Sequence, residues 1–327
     1  MHLLYCPECE SPNLKIHSRY TTQSGERLIY ACECCGQKRS ETHGSPAFNL
    51  KTPLSKVAFA LKLRSEGMGL RAAGRCLECS KREIAHWESR FAGQKQALQV
   101  YAQVHQYLAL TFESDEIYTR VGQNVPAAES KGWTMIVMER SSRYLLEMRC
   151  GAKEQELFNY VLQNVLNLAA DDISFFSDGE RRYGNTLFDL CNYWSTQKNK
   201  AFRSLPPHLH VRLKNKSSAQ RESGRPTYES PVTQAPGEAV IPEPEIHANH
   251  IESYNASLRR RCSAMRRRAN TYAKNKQGLQ RVLDVHWLLH NFVRPHFTTK
   301  QAPAVVLGLF DEPFSLTELL TTRFFAI

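Results

Sequence analysis

The sequence predicts an α/β protein whose main domain follows two smaller units. Three observations predict this order. Paired cysteines frame residues 1–50, a helical run with a capped third helix fills residues 51–95, and strand-like runs around an amphipathic helix occupy residues 96–300. The chain has 327 residues, enough for two or three units, one of them large enough for a full core.

The composition favours an anionic partner. The chain carries 43 Lys and Arg against 32 Asp and Glu, a formal net charge of +11, and nucleic acid is the commonest partner of such proteins. A merely basic surface is the alternative. No apolar run is long enough to span a bilayer, and the start "MHLLYCPEC" lacks the basic region of a signal peptide. We therefore expect a cytoplasmic, nucleoid-associated protein with no membrane partner.

Two Cys-x-x-Cys pairs predict a structural metal site in residues 1–50. Cys6 and Cys9 form the first pair, and Cys32 and Cys35 form the second. Two such pairs can supply the four sulfurs that surround one structural Zn²⁺ ion, and the strand-like runs between them predict the hairpin of a zinc ribbon. Cys34 could compete for a ligand position, although the spacing favours Cys35. Unrelated thiols are the alternative.

Residues 51–95 predict a helix-turn-helix unit. Ser80 and Glu83 form a capping box that starts its third helix, and Ile84, Trp87 and Phe91 recur at helical spacing and should face inward. A short helix, a tight turn and a basic third helix suit reading of the DNA major groove, whereas a plain three-helix packing unit is the alternative. The predicted DNA contacts are Lys81, Arg82, His86 and Arg90.

Two acids in the main domain lie on strand-like runs, Asp115 within the first run and Asp178 at the end of a later one. "LALTFESDEIYTRVG" carries Asp115, and "DISFFSDGERRYG" ends at Asp178, after two further strand-like runs and a helix. If the first and fourth strands are neighbours, these carboxylates should meet at one edge of the sheet. Two close carboxylates repel each other unless a cation is present, and Mg²⁺ suits oxygen-only ligands that leave room for phosphates.

A resemblance to a known protein family assigns these acids a more specific role. The stretches "ESDEIYTRVG", "ISFFSDGERRYG" and "HIESYNASLRRRCSAMRRRANTYAK" resemble the three catalytic blocks of DDE transposases of the insertion sequence one type. The stretch "WLLHNFVRPHFTTKQAPAVVLGL" resembles the closing block common in insertion-sequence transposases. The likeness covers most of the chain. It implies a ribonuclease H-like catalytic domain, with Asp115, Asp178 and Glu252 as catalytic residues that bind two Mg²⁺ ions. Glu116 is the chief rival of Asp115, but in a strand it should face the other side.

Glu252 stands at the head of an arginine-rich stretch. A local account makes it an acid in the first turn of a helix that Asn249 caps. The resemblance instead makes it the third metal ligand, with the arginines neutralising DNA phosphates beside it. The arginines are Arg259, Arg260, Arg261, Arg266, Arg267 and Arg268.

The resemblance implies a transposase that binds double-stranded DNA, both element ends and target, as a homodimer or larger assembly. Strand cleavage and joining of the 3′-ends would both be two-metal phosphoryl transfers. A catalytically idle DNA-binding regulator and a metal-dependent nuclease are the alternatives. The stretch near 215–248 departs from the family pattern and predicts an inserted loop, and residues 301–327 form a C-terminal tail.

Overall fold

A six-stranded mixed sheet forms the centre of the protein, seen in a computed structural model of the chain. The structure describes residues 5–104, 109–167, 169–196, 208–211, 214–215, 227–228, 230, 232–233, 241–267 and 270–324. The strands are β1 (Leu14–Thr22), β2 (Gly25–Cys32), β3 (Lys38–Ser40), β4 (Ala109–Tyr118), β5 (Trp133–Glu139), β6 (Leu145–Gly151), β7 (Ala169–Ser177), β8 (His208–Val211), β9 (Lys214–Asn215), β10 (Thr227–Tyr228) and β11 (Val232–Thr233).

The strand order of the central sheet is β11-β8-β7-β4-β5-β6. Strands β4, β5 and β6 form an antiparallel meander, whereas β7 and β8 run parallel to β4. The helix between β6 and β7 supplies the crossover that a parallel pair requires. This mixed α/β arrangement is compatible with a ribonuclease H-like fold, and it confirms that the first and fourth strands of the domain are neighbours.

Helices cover both faces of the sheet and form the unit before it. They are α1 (Leu54–Ser65), α2 (Leu70–Cys76), α3 (Lys81–Ala92), α4 (Gln94–Val104), α5 (Gln155–Leu166), α6 (Arg181–Thr196), α7 (Asn249–Arg261), α8 (Lys276–Leu288), α9 (Pro303–Val306) and α10 (Leu316–Thr321). The amphipathic pattern of α5 is confirmed, because Leu157, Val161 and Val165 are buried. The alternation of side chains along β4 places α6 and α7 on opposite faces of the sheet.

Residues 5–50 hold a three-stranded sheet of order β1-β2-β3. The predicted hairpin is confirmed, and Gly25 adopts a φ of +104° at its turn, a conformation that glycine tolerates without strain. Few apolar side chains are buried in this unit, chiefly Tyr30, Ala31 and Ala47. So small a core leaves much of its stability to other contacts.

The three helices α1 to α3 pack onto the sheet domain. The Ser80–Glu83 capping box of α3 is confirmed. Glu88 on its inner face is buried and pairs with Arg64 at 2.6 Å and with Arg281 of α8 at 3.2 Å. Buried side chains of α1 to α3 belong to the same continuous core as those of the sheet. The predicted domain boundary near residue 95 therefore does not coincide with a gap in the core.

The arginine-rich stretch after Glu252 does not form one continuous helix. Helix α7 ends at Arg261, because the chain becomes extended at the buried Cys262 and Met265 is buried three residues later. Arg266 and Arg267 therefore follow the helix instead of lying on it. Arg268 and most of the inserted loop predicted near 215–248 lie outside the described residues.

Within the described part of the chain, no helix combines the length and the apolar character that crossing a bilayer requires.

Candidate functional site

Asp115 and Asp178 meet in the middle of the central sheet, where β7 ends beside β4. In the parallel pair of β4 and β7, Glu113 lies opposite Phe176, so Asp115, two residues on, lies level with Asp178. Asp178 follows the last residue of β7 and is exposed. The predicted meeting of these two carboxylates therefore arises from strand register.

Glu116 joins them. Oxygen atoms of Asp115, Glu116 and Asp178 all lie within 4.8 Å of one another. Burial raises the pKa of Asp115 to about 6, and the charge of Asp178 adds to this rise. Burial likewise raises the pKa of Glu116 to about 7. A cation between these carboxylates would relieve both the repulsion and the cost of burying the charge.

Glu116 faces the opposite side of β4 from Asp115, as predicted, yet its carboxylate still reaches the other two acids. Ser114 and Glu116 face α6, where the Ser114 hydroxyl lies 2.7 Å from the Tyr183 hydroxyl, while Asp115 faces α7. Asp178 stands where β7 ends, a position that side chains from both faces can reach. The carboxylate oxygens of Asp115, Glu116 and Asp178 suit a divalent cation, which prefers oxygen ligands.

Helix α7 presents a polar stripe to Asp115. Asn255 is buried and donates from Nδ2 to Asp115 Oδ2 at 2.8 Å. One turn earlier, half-buried Glu252 is near enough that its charge helps to raise the pKa of Asp115. Burial lowers the pKa of Arg259, one turn after Asn255, while the charge of Asp115 opposes this. Glu252 is thus a neighbour of the acidic cluster, but it lies outside the 4.8 Å group.

Glu113 is a residue that the sequence analysis missed. It is fully buried, and its Oε2 accepts from the backbone N–H groups of His250 at 3.0 Å and Ile251 at 2.9 Å. Burial alone would raise its pKa, but these bonds and that to the His250 ring hold the pKa below its ordinary value. The expectation that Asn249 caps α7 is wrong: Ala248 occupies the N-cap position and its own side chain makes no capping bond, so Glu113 from β4 takes that part.

A lysine supplies positive charge beside the acids. Lys153 Nζ lies 3.2 Å from Glu116 Oε2 and 3.0 Å from Glu180 Oε2. It also lies 4.6 Å from the centre of the Trp133 ring. The positive charge of Lys153 partly neutralises the negative charge of the acidic cluster.

Tyr183 lies five residues after Asp178, near enough in sequence to be considered as a nucleophile, but its side chain is fully buried. Its hydroxyl is engaged with Ser114, and burial raises its pKa well above the ordinary value. A phenol in this state is poorly placed to attack a phosphate.

The four predicted cysteines form the second cluster. The Cys6 and Cys35 sulfurs lie 3.6 Å apart, as do those of Cys9 and Cys32, and all four lie within 4.8 Å of one another. A tetrahedral Zn²⁺ with bonds of about 2.3 Å would place the sulfurs about 3.8 Å apart. Cys34 lies outside this group, with its sulfur 3.2 Å from the Ser11 hydroxyl.

The pKa values of the four cysteines split into two pairs. Backbone N–H groups lower the pKa of Cys32 and of Cys6. Although backbone N–H groups oppose it, burial and the neighbouring sulfurs raise the pKa of Cys9 and of Cys35. A metal ion would hold all four as thiolates, because metal-binding sulfurs must be deprotonated.

Three of the four DNA contacts predicted on α3 are exposed: Lys81, Arg82 and His86. Arg90 differs. It is half-buried and donates to the carbonyl oxygens of Pro46, at 2.6 Å, and of Phe48. Its guanidinium therefore holds the end of the first unit against α3, and the expectation that it faces outward is corrected.

The basic residues around the end of α7 are mostly exposed. Arg260, Arg261, Arg266 and Arg267 lie open to solvent, and Arg261 pairs with Glu66 at 3.6 Å. Arginines in the last turn of a helix also interact favourably with its dipole, so part of this charge has a local structural use.

A cavity of about 1060 Å³ opens beside the end of β6, and its lining includes Arg149, Gly151 and Tyr160. None of the predicted catalytic acids lines it. The acidic cluster instead lies where β7 ends beside β4.

Comparisons with known proteins give little further information. No family model matches the sequence, and no curated protein matches it either. Among solved structures, a Mos1 transposase paired-end complex with the left transposon end matches at 13% identity with a TM-score of 0.16. The match covers 41% of this chain and 55% of that chain, so it spans about half of the relative. A likeness this weak carries no argument.

Proposed function

We propose that this protein is a DNA transposase that cleaves strands at the ends of an insertion sequence and joins the freed 3′-ends to target DNA. The observation that carries the proposal is the meeting of Asp115, inside β4, with Asp178, which directly follows the adjacent parallel strand β7, while Glu252 lies beside them on α7. Ligands in α/β sheets commonly bind outside the carboxyl ends of the strands.

Asp115, Asp178 and Glu252 would hold two Mg²⁺ ions, with Glu116 as an additional oxygen donor. Bound Mg²⁺ supplies an activated oxygen nucleophile and stabilises the leaving oxygen in phosphoryl transfer. Asn255 and the Glu116 amide each donate one hydrogen bond to Asp115 and thereby orient its carboxylate. Each carboxylate oxygen keeps a further lone pair for a cation.

Double-stranded DNA is the proposed partner. The exposed Lys81, Arg82 and His86 of α3 suit recognition of element ends, and the exposed arginines after α7 lie on the segment that follows the acid-bearing helix. Cys6, Cys9, Cys32 and Cys35 would hold one structural Zn²⁺ ion. Because two element ends must be brought together, we propose that a homodimer or larger assembly acts on DNA.

A strand-transfer assay with element-end DNA and Mg²⁺ tests this proposal. Asp178→Ala should abolish both cleavage and joining, whereas Asp311→Ala, at an exposed acid outside the acidic cluster, should leave both intact. Equal activity of wild type and Asp178→Ala would refute the assignment.

The same assay separates the alternatives. Asp178-dependent cleavage without joining would indicate a nuclease of this fold. Specific binding of element ends without either reaction would indicate a DNA-binding regulator, and would also overturn the proposal.

A further inference from the structure

Glu113 connects β4 to the start of α7. It lies two residues before Asp115 on the same face of the strand. Its carboxylate accepts hydrogen bonds from the backbone N–H groups of the second and third residues of α7, His250 and Ile251. These amides have no partner within the helix, and a negative charge there is stabilised by the helix dipole.

Three basic groups surround this carboxylate. His250 Nδ1 lies 2.6 Å and Arg140 Nε 2.7 Å from Glu113 Oε1, and His247 Nδ1 lies 4.0 Å away. Arg140 also donates to the carbonyl oxygens of Glu245 and His247, in the segment that leads into α7. Although Glu113 and the two histidines are close enough to share a metal ion, the Arg140 charge and the two amides already satisfy the carboxylate.

A second bond holds the helix one turn later. Asn255 donates to Asp115, so residues two apart on β4 bind residues about one turn apart on α7. Glu252 lies between these two attachments. It directly follows Ile251, whose backbone N–H donates a hydrogen bond to Glu113.

We infer that Glu113 is a positioning residue that fixes the start of α7 on β4 and thereby sets how closely Glu252 approaches Asp115 and Asp178. In this role Glu113 acts through α7 and is not itself a ligand of the metal or of the DNA. The inference rests on the proposed function, in which Glu252 completes the acidic set.

The test is Mn²⁺ binding to the full-length protein by titration calorimetry, together with the Mg²⁺ dependence of strand cleavage. Glu113→Gln should weaken Mn²⁺ binding about tenfold, as is common for groups that orient metal ligands. The half-saturating Mg²⁺ concentration should rise by a similar factor, and saturating Mg²⁺ should restore most of the maximal rate. Glu113→Asp, which keeps the charge but shortens the reach, should give an intermediate effect and serves if Glu113→Gln fails to fold.

Glu147→Gln is the matched control. Glu147 is equally buried and ion-paired, with Lys95, but it has no contact with the acidic cluster. This variant should lose thermal stability and keep wild-type metal dependence. If Glu113→Gln likewise loses only stability, the inference is wrong.

A double-mutant cycle shows whether Glu113 acts through Glu252. In a Glu252→Gln background, Glu113→Gln should weaken Mn²⁺ binding no further, whereas an independent role would give additive losses and would overturn the inference. Asp178→Ala separates the two proposals. If wild type shows no Asp178-dependent Mn²⁺ binding, the proposed function itself fails. If it does, and Glu113→Gln binds normally, only the inference fails.

Discussion

His286 should make the protein lose stability in mild acid. It lies on α8 in the core, and its Nε2 atom has no hydrogen-bond partner among the described residues. Burial, with help from the charges of Arg294 and Arg64, lowers its pKa to about 3. The folded protein therefore keeps this ring neutral at pH values where the unfolded chain protonates it.

The sign and size follow from this difference. An unfolded histidine has a pKa of about 6.5, so between pH 6.5 and pH 3 the unfolded state binds one more proton at this position. The stability contribution is complete above pH 6.5 and falls as the pH decreases. At pH 5 the loss is about 1.5 pH units times 1.36 kcal/mol, or about 2 kcal/mol.

Urea unfolding at pH 7 and pH 5, followed by tryptophan fluorescence, measures the effect. His286→Leu removes the titrating ring without introducing a buried polar atom, so its free energy of unfolding should fall by about 2 kcal/mol less than that of wild type between these pH values. His86→Leu, at an exposed histidine of α3, should behave as wild type does. An equal loss in His286→Leu and wild type would refute the reasoning.

Two further predictions concern the cysteines and the buried tyrosine. Cys32→Ser should abolish the binding of one Zn²⁺ per chain and expose residues 5–50 to protease, whereas Cys34→Ser should retain the ion. Elemental analysis and limited proteolysis measure the two effects, and zinc retention by Cys32→Ser would contradict the prediction. Tyr183→Phe should retain strand cleavage and lose about 1 kcal/mol of stability with its bond to Ser114; a folded variant with no cleavage would instead support a tyrosine nucleophile.

Patterns that are local in sequence predicted the structure well. The Ser80–Glu83 capping box, the hairpin of the first unit and the buried face of α5 depend on neighbouring residues, and all three are confirmed. The meeting of Asp115 and Asp178 needed one assumption about strand order, which the sheet satisfies.

Long-range contacts were the part that the sequence concealed. The cap of α7 comes from Glu113, 137 positions before His250, and a search for capping residues near Asn249 could not find it. A run of alternating acids on one strand, Glu113 and Asp115, was the available signal. The inward position of Arg90 could not be predicted for the same reason, because its carbonyl partners precede it by more than forty residues.

The packing of α3 has a geometric consequence. Glu88 ties this helix to both α1 and α8, and all three share the core of the sheet, so we expect α3 to keep a fixed position relative to the acidic cluster. DNA bound on its exposed face would stand at one fixed distance from Asp115 and Asp178. The number of base pairs between the recognised sequence and the cut phosphate would then be constant, whereas a flexibly tethered unit would produce cuts at several positions.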